Sequence, residues 1–372
     1  MKILNKKLHI VCFDVPYPPD YGGVTDVYYK IKALSESGVD IYLHVFEYGR
    51  GRQDHLKKYC EKVFYYPRKK SFGKFLSLTP FIVNSRNDEG LIKNLNAIEA
   101  PVLFEGLHST YPLLSKKLKQ RTFLVRMHNI EHDYYKGVAK NEASWVKKTF
   151  YTIESSKLKR YEKVLNKCDH ILSISPADQN HFEKIFGPKS VYIPAFHGHF
   201  KMQHRNKKGY FALYHGNLSV ADNNKAAHYL IDVFKNLSVQ LIIAGRSEDK
   251  KLLAKIEGAK NIQFIFIDDQ KQLWDLIQRA HINILVSFQA TGIKIKLLNA
   301  LFNGRFCLVN PAMVKGSGLE DLCEIAKDKK EMIARLIPLM DNEFSKEQFA
   351  LRKEKLSLFD NHKSAARILE II

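Results

Sequence analysis

The sequence lacks any apolar run long enough to cross a membrane. Its 372 residues contain no stretch that approaches about 18 consecutive apolar side chains, which argues against a transmembrane helix. The apolar segment Leu8–Val15 is shorter, and Asp14 and the prolines beyond it interrupt it, so it predicts a buried strand rather than a signal peptide. We therefore expect a cytoplasmic protein, with at most a peripheral position on the inner membrane face.

Cysteine is scarce as well. The five cysteines are odd in number and no two of them have CxxC spacing, which argues against a disulfide framework and a cysteine-based zinc site. Three histidines in the middle of the chain, His197, His199 and His204, match no standard ligand spacing. The sequence therefore predicts no bound metal ion and no cofactor.

Positive charge, by contrast, is abundant. The net charge of +20 favours polyanionic partners such as phosphorylated ligands, an anionic membrane or nucleic acid. No RNA- or DNA-binding motif accompanies this charge, so nucleic acid is not an expected partner. The segment 50–74 contains nine lysines and arginines against two acids, interleaved with aromatic residues that suit a membrane headgroup zone. We interpret Arg68, Lys69 and Lys70 as an acceptor-side or membrane-facing patch, with a solvated basic surface as the alternative.

Short apolar runs alternate with longer amphipathic segments in both halves of the chain. The runs show little polar alternation, which is typical of parallel strands covered by helices on both faces. The sequence thus predicts an α/β fold with two Rossmann-like domains facing a central cleft. The expected parts are an N-terminal domain at 1–195, a C-terminal domain at 209–345 and a helix at 346–372 that crosses back to the first domain.

Glycine and polar residues follow two predicted strands of the first half. Gly22 and Gly23 open a predicted helix, where free backbone N–H groups favour an anion. The segment Arg126–His132 follows another strand and contains His128 and Glu131. Because ligands of open α/β sheets bind at the carboxyl ends of strands, we expect these side chains to face a ligand. The alternative is an ordinary turn whose side chains only cap the next helix.

The same arrangement recurs in the second half. Arg246 directly follows a predicted strand and Lys250 comes one turn later, and a guanidinium group suits a diphosphate. Gly292 lies at the start of a helix predicted over 293–302, with Lys294 in its first turn. A cation there opposes the helix dipole, which favours an anionic ligand. The alternative is a set of solvated surface residues.

Together these segments resemble the retaining GT-B glycosyltransferases of family 4, and the resemblance extends from Gly22 to about Leu322. GT-B proteins consist of two Rossmann-like domains that face a cleft. The motifs that carry the resemblance are Arg126-Met127-His128-Asn129-Ile130-Glu131, His215-Gly216-Asn217 with Asn223, Ala244-Gly245-Arg246, Phe264–Asp269 and Gly292–Val309.

The resemblance implies metal-independent transfer of a sugar from a UDP- or GDP-linked donor to a hydroxyl of a glycan or lipid-linked acceptor. It implies an acceptor side in 1–195 and a donor side in 209–345. His128 would contact the transferred sugar, and Glu131 would orient it or contact the acceptor. The implied donor-binding residues are Gly22, Gly23, Gly216, Asn217, Arg246, Lys250, Ile267, Thr291, Gly292, Lys294, Lys296 and Asn299.

One departure from the family pattern concerns charge. The family carries two carboxylates eight residues apart in the last motif, and this sequence has Thr291 and Asn299 at those positions. An asparagine keeps a carbonyl acceptor for a ribose hydroxyl but has no negative charge. Two alternatives therefore stay open, a catalytically silent GT-B binding protein and a GT-B sugar-nucleotide epimerase, although no proton-relay set for an epimerase is apparent.

Overall fold

The computed structural model describes residues 6–69, 71, 73, 77–142, 144–199, 202, 204, 207–246 and 249–372. The chain forms two compact units, unit 1 (Met1–Gly198 with Phe359–Ile372) and unit 2 (His199–Leu358). Each unit is built on a parallel sheet with flanking helices, so the predicted α/β class is confirmed. Among the described residues, no helix is both long and apolar enough to cross a membrane.

Unit 1 contains a parallel sheet of seven strands. The strands are β1 (Lys6–Cys12), β2 (Val39–Glu47), β3 (Lys62–Pro67), β4 (Val102–Glu105), β5 (Phe123–Met127), β6 (His170–Ser173) and β7 (Ser190–Tyr192). The helices are α1 (Gly22–Glu36), α2 (Phe81–Asn84), α3 (Glu89–Ala97), α4 (Glu131–Asn141), α5 (Trp145–Tyr161), α6 (Pro176–Phe186) and, near the chain end, α14 (Asn361–Glu370). The strand order across the sheet is β3-β2-β1-β4-β5-β6-β7.

Unit 2 contains a parallel sheet of six strands. The strands are β8 (Phe211–His215), β9 (Gln240–Gly245), β10 (Ile262–Phe266), β11 (Ile282–Leu285), β12 (Phe306–Val309) and β13 (Glu324–Ile325). The helices are α7 (Ala221–Phe234), α8 (Lys250–Glu257), α9 (Gln270–Arg279), α10 (Ile295–Asn303), α11 (Pro311–Val314), α12 (Lys329–Asp341) and α13 (Lys346–Leu356). The strand order across the sheet is β10-β9-β8-β11-β12-β13.

Both sheets reverse their strand order beside the first strand of the unit. In unit 1, β1 lies between β2 and β4, and in unit 2, β8 lies between β9 and β11. Strands β4 and β8 are buried along their whole length, as expected for the middle of a sheet covered on both faces. At such a reversal the connections leave in opposite directions, and a crevice opens at the carboxyl ends of the strands. Each unit therefore has one topologically defined place for a ligand.

The C-terminal segment differs from the prediction. Instead of one helix over 346–372, α13 belongs to unit 2 and only α14 belongs to unit 1. Arg352 holds α13 on unit 2, because its guanidinium donates to the carbonyl of Gly304 at 3.0 Å and lies over the ring of Phe344. Asp360 then caps α14, which packs against α1. The chain therefore returns to unit 1 at Phe359 and not at residue 346.

The basic segment 50–74 also differs from the prediction. It contains the edge strand β3, which the sequence reading missed because lysines and aromatics there show no clear alternation. Tyr66 is buried with its hydroxyl 2.8 Å from Nδ1 of His44, and the ring of Phe64 stacks on the same imidazole. Tyr66 is therefore part of the core and not a surface group, whereas a membrane role for the rest of the segment stays a prediction.

A group of fully buried charges lies under the carboxyl edge of the unit 1 sheet. The Asp26 carboxylate accepts hydrogen bonds from Lys30 Nζ at 2.9 Å and from the Arg126 guanidinium at 2.8 and 3.2 Å. Lys30 also donates to Glu105 at 3.0 Å. Two anions and two cations therefore balance one another out of reach of water, where an unpaired charge would be strongly destabilising.

The same carboxylate organises the backbone around it. Asp26 Oδ1 accepts the N–H of Phe196 at 2.9 Å, and Arg126 donates to the carbonyl of Pro194 at 3.0 Å. Burial opposes ionisation of Asp26, but the charges of Arg126 and Lys30 outweigh it and keep its pKa below the ordinary value. These bonds fix α1, the end of β5 and the segment after β7 to one another.

We predict that Lys30→Met lowers the free energy of unfolding by about 3–5 kcal/mol, because it leaves Glu105 and Asp26 short of a buried cation. Lys32→Met on the same helix is the matched control, since Lys32 lies 3.8 Å from Glu36 in a partly exposed pair. It should change stability by less than about 1 kcal/mol. Urea unfolding of both variants checks this, and equal losses in the two would contradict it.

Candidate functional site

Aromatic and imidazole rings converge at the strand reversal of unit 1. Phe13 follows β1, and its ring lies edge-on to His128 with centroids 5.5 Å apart and tilted against His108 at 5.3 Å. Gly23 leaves room for the Phe13 ring, since a Cβ at Gly23 would lie 2.9 Å from Phe13 Cζ. Gly106 has φ +67°, a conformation that favours glycine, and a Cβ there would lie 3.0 Å from His108 Nδ1. We call Phe13, His108, His128 and Glu131 the unit 1 cluster.

The carboxylate of Glu105 holds the His128 ring in a fixed orientation. Its Nε2 donates to Glu105 Oε2 at 2.9 Å, and Glu105 is fully buried. Burial acts to raise the pKa of Glu105, but the charge of Lys30 and the hydrogen bond from His128 lower it below the ordinary value. Because an ionised carboxylate only accepts hydrogen bonds, the Nε2 edge of the ring is the donor to Glu105, and in the tautomer with its proton on Nε2 the other nitrogen, Nδ1, is an acceptor.

Glu131 and His108 face each other without a hydrogen bond. Glu131 Oε1 lies 3.9 Å from His108 Nδ1, and both atoms are buried with no partner among the described residues. Burial, and then the charge of Asp178, raises the pKa of Glu131 to about 8. Burial, and then the charge of Arg86, lowers the pKa of His108 well below its ordinary value. A neutral carboxylic acid thus faces a neutral imidazole near pH 7, an arrangement suited to acid–base chemistry.

Polar side chains from β8, α7 and α10 lie near the strand reversal of unit 2, and Thr291 lies in the loop before α10. His215 ends β8 and is buried, and its Nε2 has no hydrogen-bond partner among the described residues. Thr291, in the loop between β11 and α10, has a buried Oγ1 that also lacks a described partner. Lys296 on α10 donates to Oδ1 of Asn223 on α7 at 2.8 Å. We call His215, Asn223, Thr291 and Lys296 the unit 2 cluster.

Lys296 is a partly buried cation without an anionic partner in contact. In the described part of the chain its ammonium group contacts Asn223 and lies over the Tyr214 ring, while Asp222 acts on it only at a distance. Burial lowers the pKa of Lys296 to about 8. Burial and the charge of Lys296 together lower the pKa of His215 to about 3, so this imidazole is neutral. The cluster is therefore positively charged at pH 7 and offers open hydrogen-bonding groups.

Two glycines bring the backbone close to this cluster. A Cβ on Gly216 would lie 3.1 Å from Cγ of Asn223, and a Cβ on Gly245 would lie 2.9 Å from the carbonyl oxygen of Gly216. The predicted Asn217 follows directly, and its Oδ1 accepts the N–H of Ser219 at 3.0 Å. Gly245 therefore allows the end of β9 to approach the end of β8, and Gly216 allows Asn223 of α7 to approach the backbone after β8.

The loop before α10 differs from the prediction. The helix begins at Ile295 rather than 293, so Gly292 lies in the loop with φ +64° and not at a helix N-terminus. Lys294 turns back onto this loop, where its Nζ donates to the carbonyls of Thr291 at 2.6 Å and Gly292 at 3.2 Å. The side chain of Lys294, the N-cap residue of α10, thus bonds to the loop that precedes the helix.

Asn299 lies against a histidine of its own unit. Its Oδ1 accepts from His199 Nε2 at 2.7 Å, and Asn303 donates to His199 Nδ1 at 3.0 Å. The imidazole also stacks on Phe302. The structure therefore places Asn299 in a hydrogen-bonded chain with His199, and in the described part of the chain no hydrogen bond joins it to the unit 2 cluster.

The remaining predicted donor-site residues lie at strand or helix ends. Arg246 is exposed directly after β9, and the two residues that follow it lie outside the described residues. Lys250 is exposed in the first turn of α8, and Ile267 is buried directly after β10. Gly22 is exposed as the first residue of α1 in unit 1. Their role in donor binding stays a prediction.

The predicted patch is partly engaged in local contacts. The guanidinium of Arg68 lies over the Tyr48 ring at 4.2 Å, and its Nε donates to Ser85 Oγ at 3.0 Å. Lys69 lies 3.5 Å from the Asp88 carboxylate. Lys70 is outside the described residues. A role for this patch at a membrane or an acceptor stays a prediction.

The sequence analysis missed Phe13 and His108 of the unit 1 cluster, and it missed Glu105, which holds His128. Glu105 is the last residue of a predicted strand, but an apolar run gave no reason to assign it a role. His108 follows Gly106 just past that strand, and the glycine was the one available signal. Glu105 and His108 can be identified by their position at the carboxyl end of a strand beside the reversal, but that position is known only once the strand order is known.

Known proteins provide a comparison for this architecture. No model of a known protein family matches the chain. An uncharacterized 44.6 kDa protein in the cps region of Klebsiella pneumoniae is 28% identical over 331 residues, which cover 84% of each chain. Sucrose-phosphate synthase from Thermosynechococcus elongatus has a similar structure, with a TM-score of 0.70, 15% identity and 98% of both chains covered. Anabaena Alr3699/HepE in complex with UDP and glucose is also similar, with a TM-score of 0.65, 12% identity and 98% of both chains covered. The chain therefore has the GT-B fold.

We predict that Lys296→Met stabilises the ligand-free protein at pH 7 by about 1–3 kcal/mol, because it removes a poorly solvated charge. The pKa of Lys296 is about 8 in the native state and about 10.4 when unfolded, so the unfolded chain binds more protons between these values. Parent stability therefore rises with pH in that window, and the advantage of the variant shrinks there.

Urea unfolding at pH 7 and pH 10 measures this difference. Lys225→Met on α7 is the control, because Lys225 is exposed and should change stability little at either pH. Two results would show that Lys296 is not a destabilising cation. One is a Lys296→Met variant that is less stable than the parent at pH 7, and the other is a stability difference from the parent that is the same at both pH values.

Proposed function

We propose that this protein is a glycosyltransferase that moves a sugar from a nucleotide-diphosphate-sugar to a hydroxyl of a glycan or lipid-linked acceptor. The GT-B fold supports this reaction class. The motif resemblance supports transfer with retention of configuration, and the HepE complex makes UDP the first nucleotide to test. The relative in a cps region supports a role in polysaccharide biosynthesis.

The observation that carries the proposal is the partly buried cation of the unit 2 cluster, which has no carboxylate in contact among the described residues. Lys296 sits at the strand reversal, where an α/β sheet binds its ligand, and contacts no carboxylate in the described part of the chain. A diphosphate would supply the missing negative charge and would accept hydrogen bonds from a neutral His215 and from Thr291. Arg246, at the end of the neighbouring strand β9, would add a second cation.

The same arrangement explains why we propose transfer without a metal ion. When the glycosidic bond to the donor breaks, negative charge develops on the leaving diphosphate. Lys296, fixed by Asn223 in a site of low polarity, would stabilise that charge electrostatically. This is the contribution that a divalent cation makes in other transferases.

We assign the sugar and the acceptor hydroxyl to the unit 1 cluster. The Nδ1 edge of His128 can accept a hydrogen bond from a sugar hydroxyl, while Glu105 fixes the ring. Glu131, which is protonated near pH 7, and His108 each have a buried hydrogen-bonding atom without a described partner, which suits binding of a hydroxyl. In this assignment Glu131 is a binding group for the acceptor at neutral pH.

We predict that Lys296→Met and Arg246→Ala weaken UDP binding by about ten- to a hundredfold, because each removes a charge-assisted hydrogen bond worth about 1.5–3 kcal/mol. Binding of uridine should change much less. Calorimetry with UDP and uridine on the parent, both variants and Lys225→Met measures this. Unchanged UDP affinity in both variants would place the diphosphate elsewhere and would favour a catalytically silent protein.

We predict a different result for His128→Ala. It should leave UDP affinity within about threefold of the parent and lower turnover by at least about a hundredfold, because His128 acts on the sugar and not on the diphosphate. The substrate is the UDP-sugar that gives the largest thermal shift, and the readout is UDP release. His362→Ala, an exposed histidine of the same unit, is the control. Loss of UDP binding together with turnover in His128→Ala would contradict the assignment.

A further inference from the structure

Two histidines and a glutamate converge in unit 1 outside the two clusters. His132 lies on α4, His181 lies on α6, and Glu162 begins the 3-10 helix Glu162–Lys167. His132 Nδ1 is 3.2 Å from Glu162 Oε2, and His181 Nε2 is 3.4 Å from Glu162 Oε1. One nitrogen or oxygen atom from each residue lies within 4.8 Å of the others. Three separate segments of the chain thus present metal-ligating atoms to one point.

We propose that His132, Glu162 and His181 form a binding site for one divalent transition-metal ion, with Zn²⁺ as the fitting ion. Zinc in proteins lies about 2.0–2.1 Å from histidine nitrogens and carboxylate oxygens. Two such ligands at the tetrahedral angle are about 3.3 Å apart, and two at a right angle, as in octahedral sites, are about 2.9 Å apart. Each imidazole nitrogen lies at a comparable distance, 3.2 or 3.4 Å, from a different oxygen of Glu162, so both carboxylate oxygens are within reach of an ion bound between the two rings.

The surroundings suit a metal site with an open position. The side chains of His132, Glu162 and His181 are 13%, 8% and 26% exposed, so an ion can enter and a water molecule can complete the coordination. The Nε2 of His132, on the side away from Glu162, lies 3.8 Å from the Asp133 carboxylate. At that distance the carboxylate does not hydrogen-bond the ring, but its negative charge would favour a proton on Nε2 and so leave Nδ1 free to ligate.

A second carboxylate–histidine group in unit 1 is a poorer candidate. Asp26, Glu105 and His128 also have ligand atoms within 4.8 Å of one another. There, however, Lys30 Nζ lies 2.9–3.0 Å from both carboxylates and takes the place of a metal ion. No lysine or arginine contacts the carboxylate of Glu162 in the described part of the chain, where its partners are the two histidines.

The proposed ion would tie three helical segments together. Glu131, which faces His108 in the unit 1 cluster, directly precedes His132 on α4. A metal ion at His132 would therefore fix the first turn of the helix that carries Glu131. The alternative is a metal-free arrangement in which both imidazoles donate hydrogen bonds to Glu162.

The experiment is calorimetric titration of the full, EDTA-treated and dialysed chain with ZnCl₂, together with Co²⁺ titration followed by visible absorption. We expect one Zn²⁺ per chain with a dissociation constant of about 1 µM or below, and a Co²⁺ spectrum typical of tetrahedral coordination. Glu162→Gln and His181→Gln should each weaken binding about a hundredfold or more, since even outer-shell partners of a metal ligand contribute ten- to a hundredfold.

His362→Gln is the matched control, because His362 lies 3.7 Å from Glu36 in an exposed pair with no second histidine. It should bind Zn²⁺ like the parent. His128→Gln tests the other group and should also bind like the parent. The proposal is overturned if the parent binds no Zn²⁺, or if Glu162→Gln and His181→Gln bind it as tightly as the parent. Circular dichroism of each variant verifies that it is folded.

Discussion

The buried carboxylate of Asp26 is the group on which unit 1 depends most. It pairs with Lys30 and Arg126 and accepts a backbone N–H, and through these bonds it connects the first helix to the strand that carries the candidate site. Glu105 extends the network to His128. The imidazole that we assign to the sugar is thus positioned by charges that solvent does not reach, which gives it one orientation before any ligand binds.

Unit 2 is constructed on the opposite principle. Its cluster contains a cation that no carboxylate contacts in the described part of the chain, beside open groups on His215 and Thr291. Such an arrangement destabilises the ligand-free state, and a bound anion removes the penalty. Unit 1 therefore positions its functional groups with internal charge pairs, whereas unit 2 leaves a positive charge for a ligand to neutralise.

Much of the fold could be predicted from sequence because buried parallel strands are short apolar runs, as in β4, β8 and β12. Strand β3 and the division of the C-terminal segment into α13 and α14 could not be predicted. Their placement depends on tertiary contacts such as that of Arg352 with Gly304. Lys296 could be recognised from its motif, but its burial could not be predicted. The approach of Glu131 to His108 could not be predicted either, because their two segments are brought together only by the strand order.

The central claim is that Lys296 binds the diphosphate of the donor. Because the pKa of Lys296 is about 8, a bound diphosphate should raise it and draw a proton from solution. Calorimetry of UDP binding at pH 8.5, in buffers with different ionisation enthalpies, measures that proton directly. We expect the parent to take up roughly 0.5–0.8 proton per UDP and Lys296→Met to take up almost none. Equal uptake in the two proteins, or none in the parent, would contradict the account.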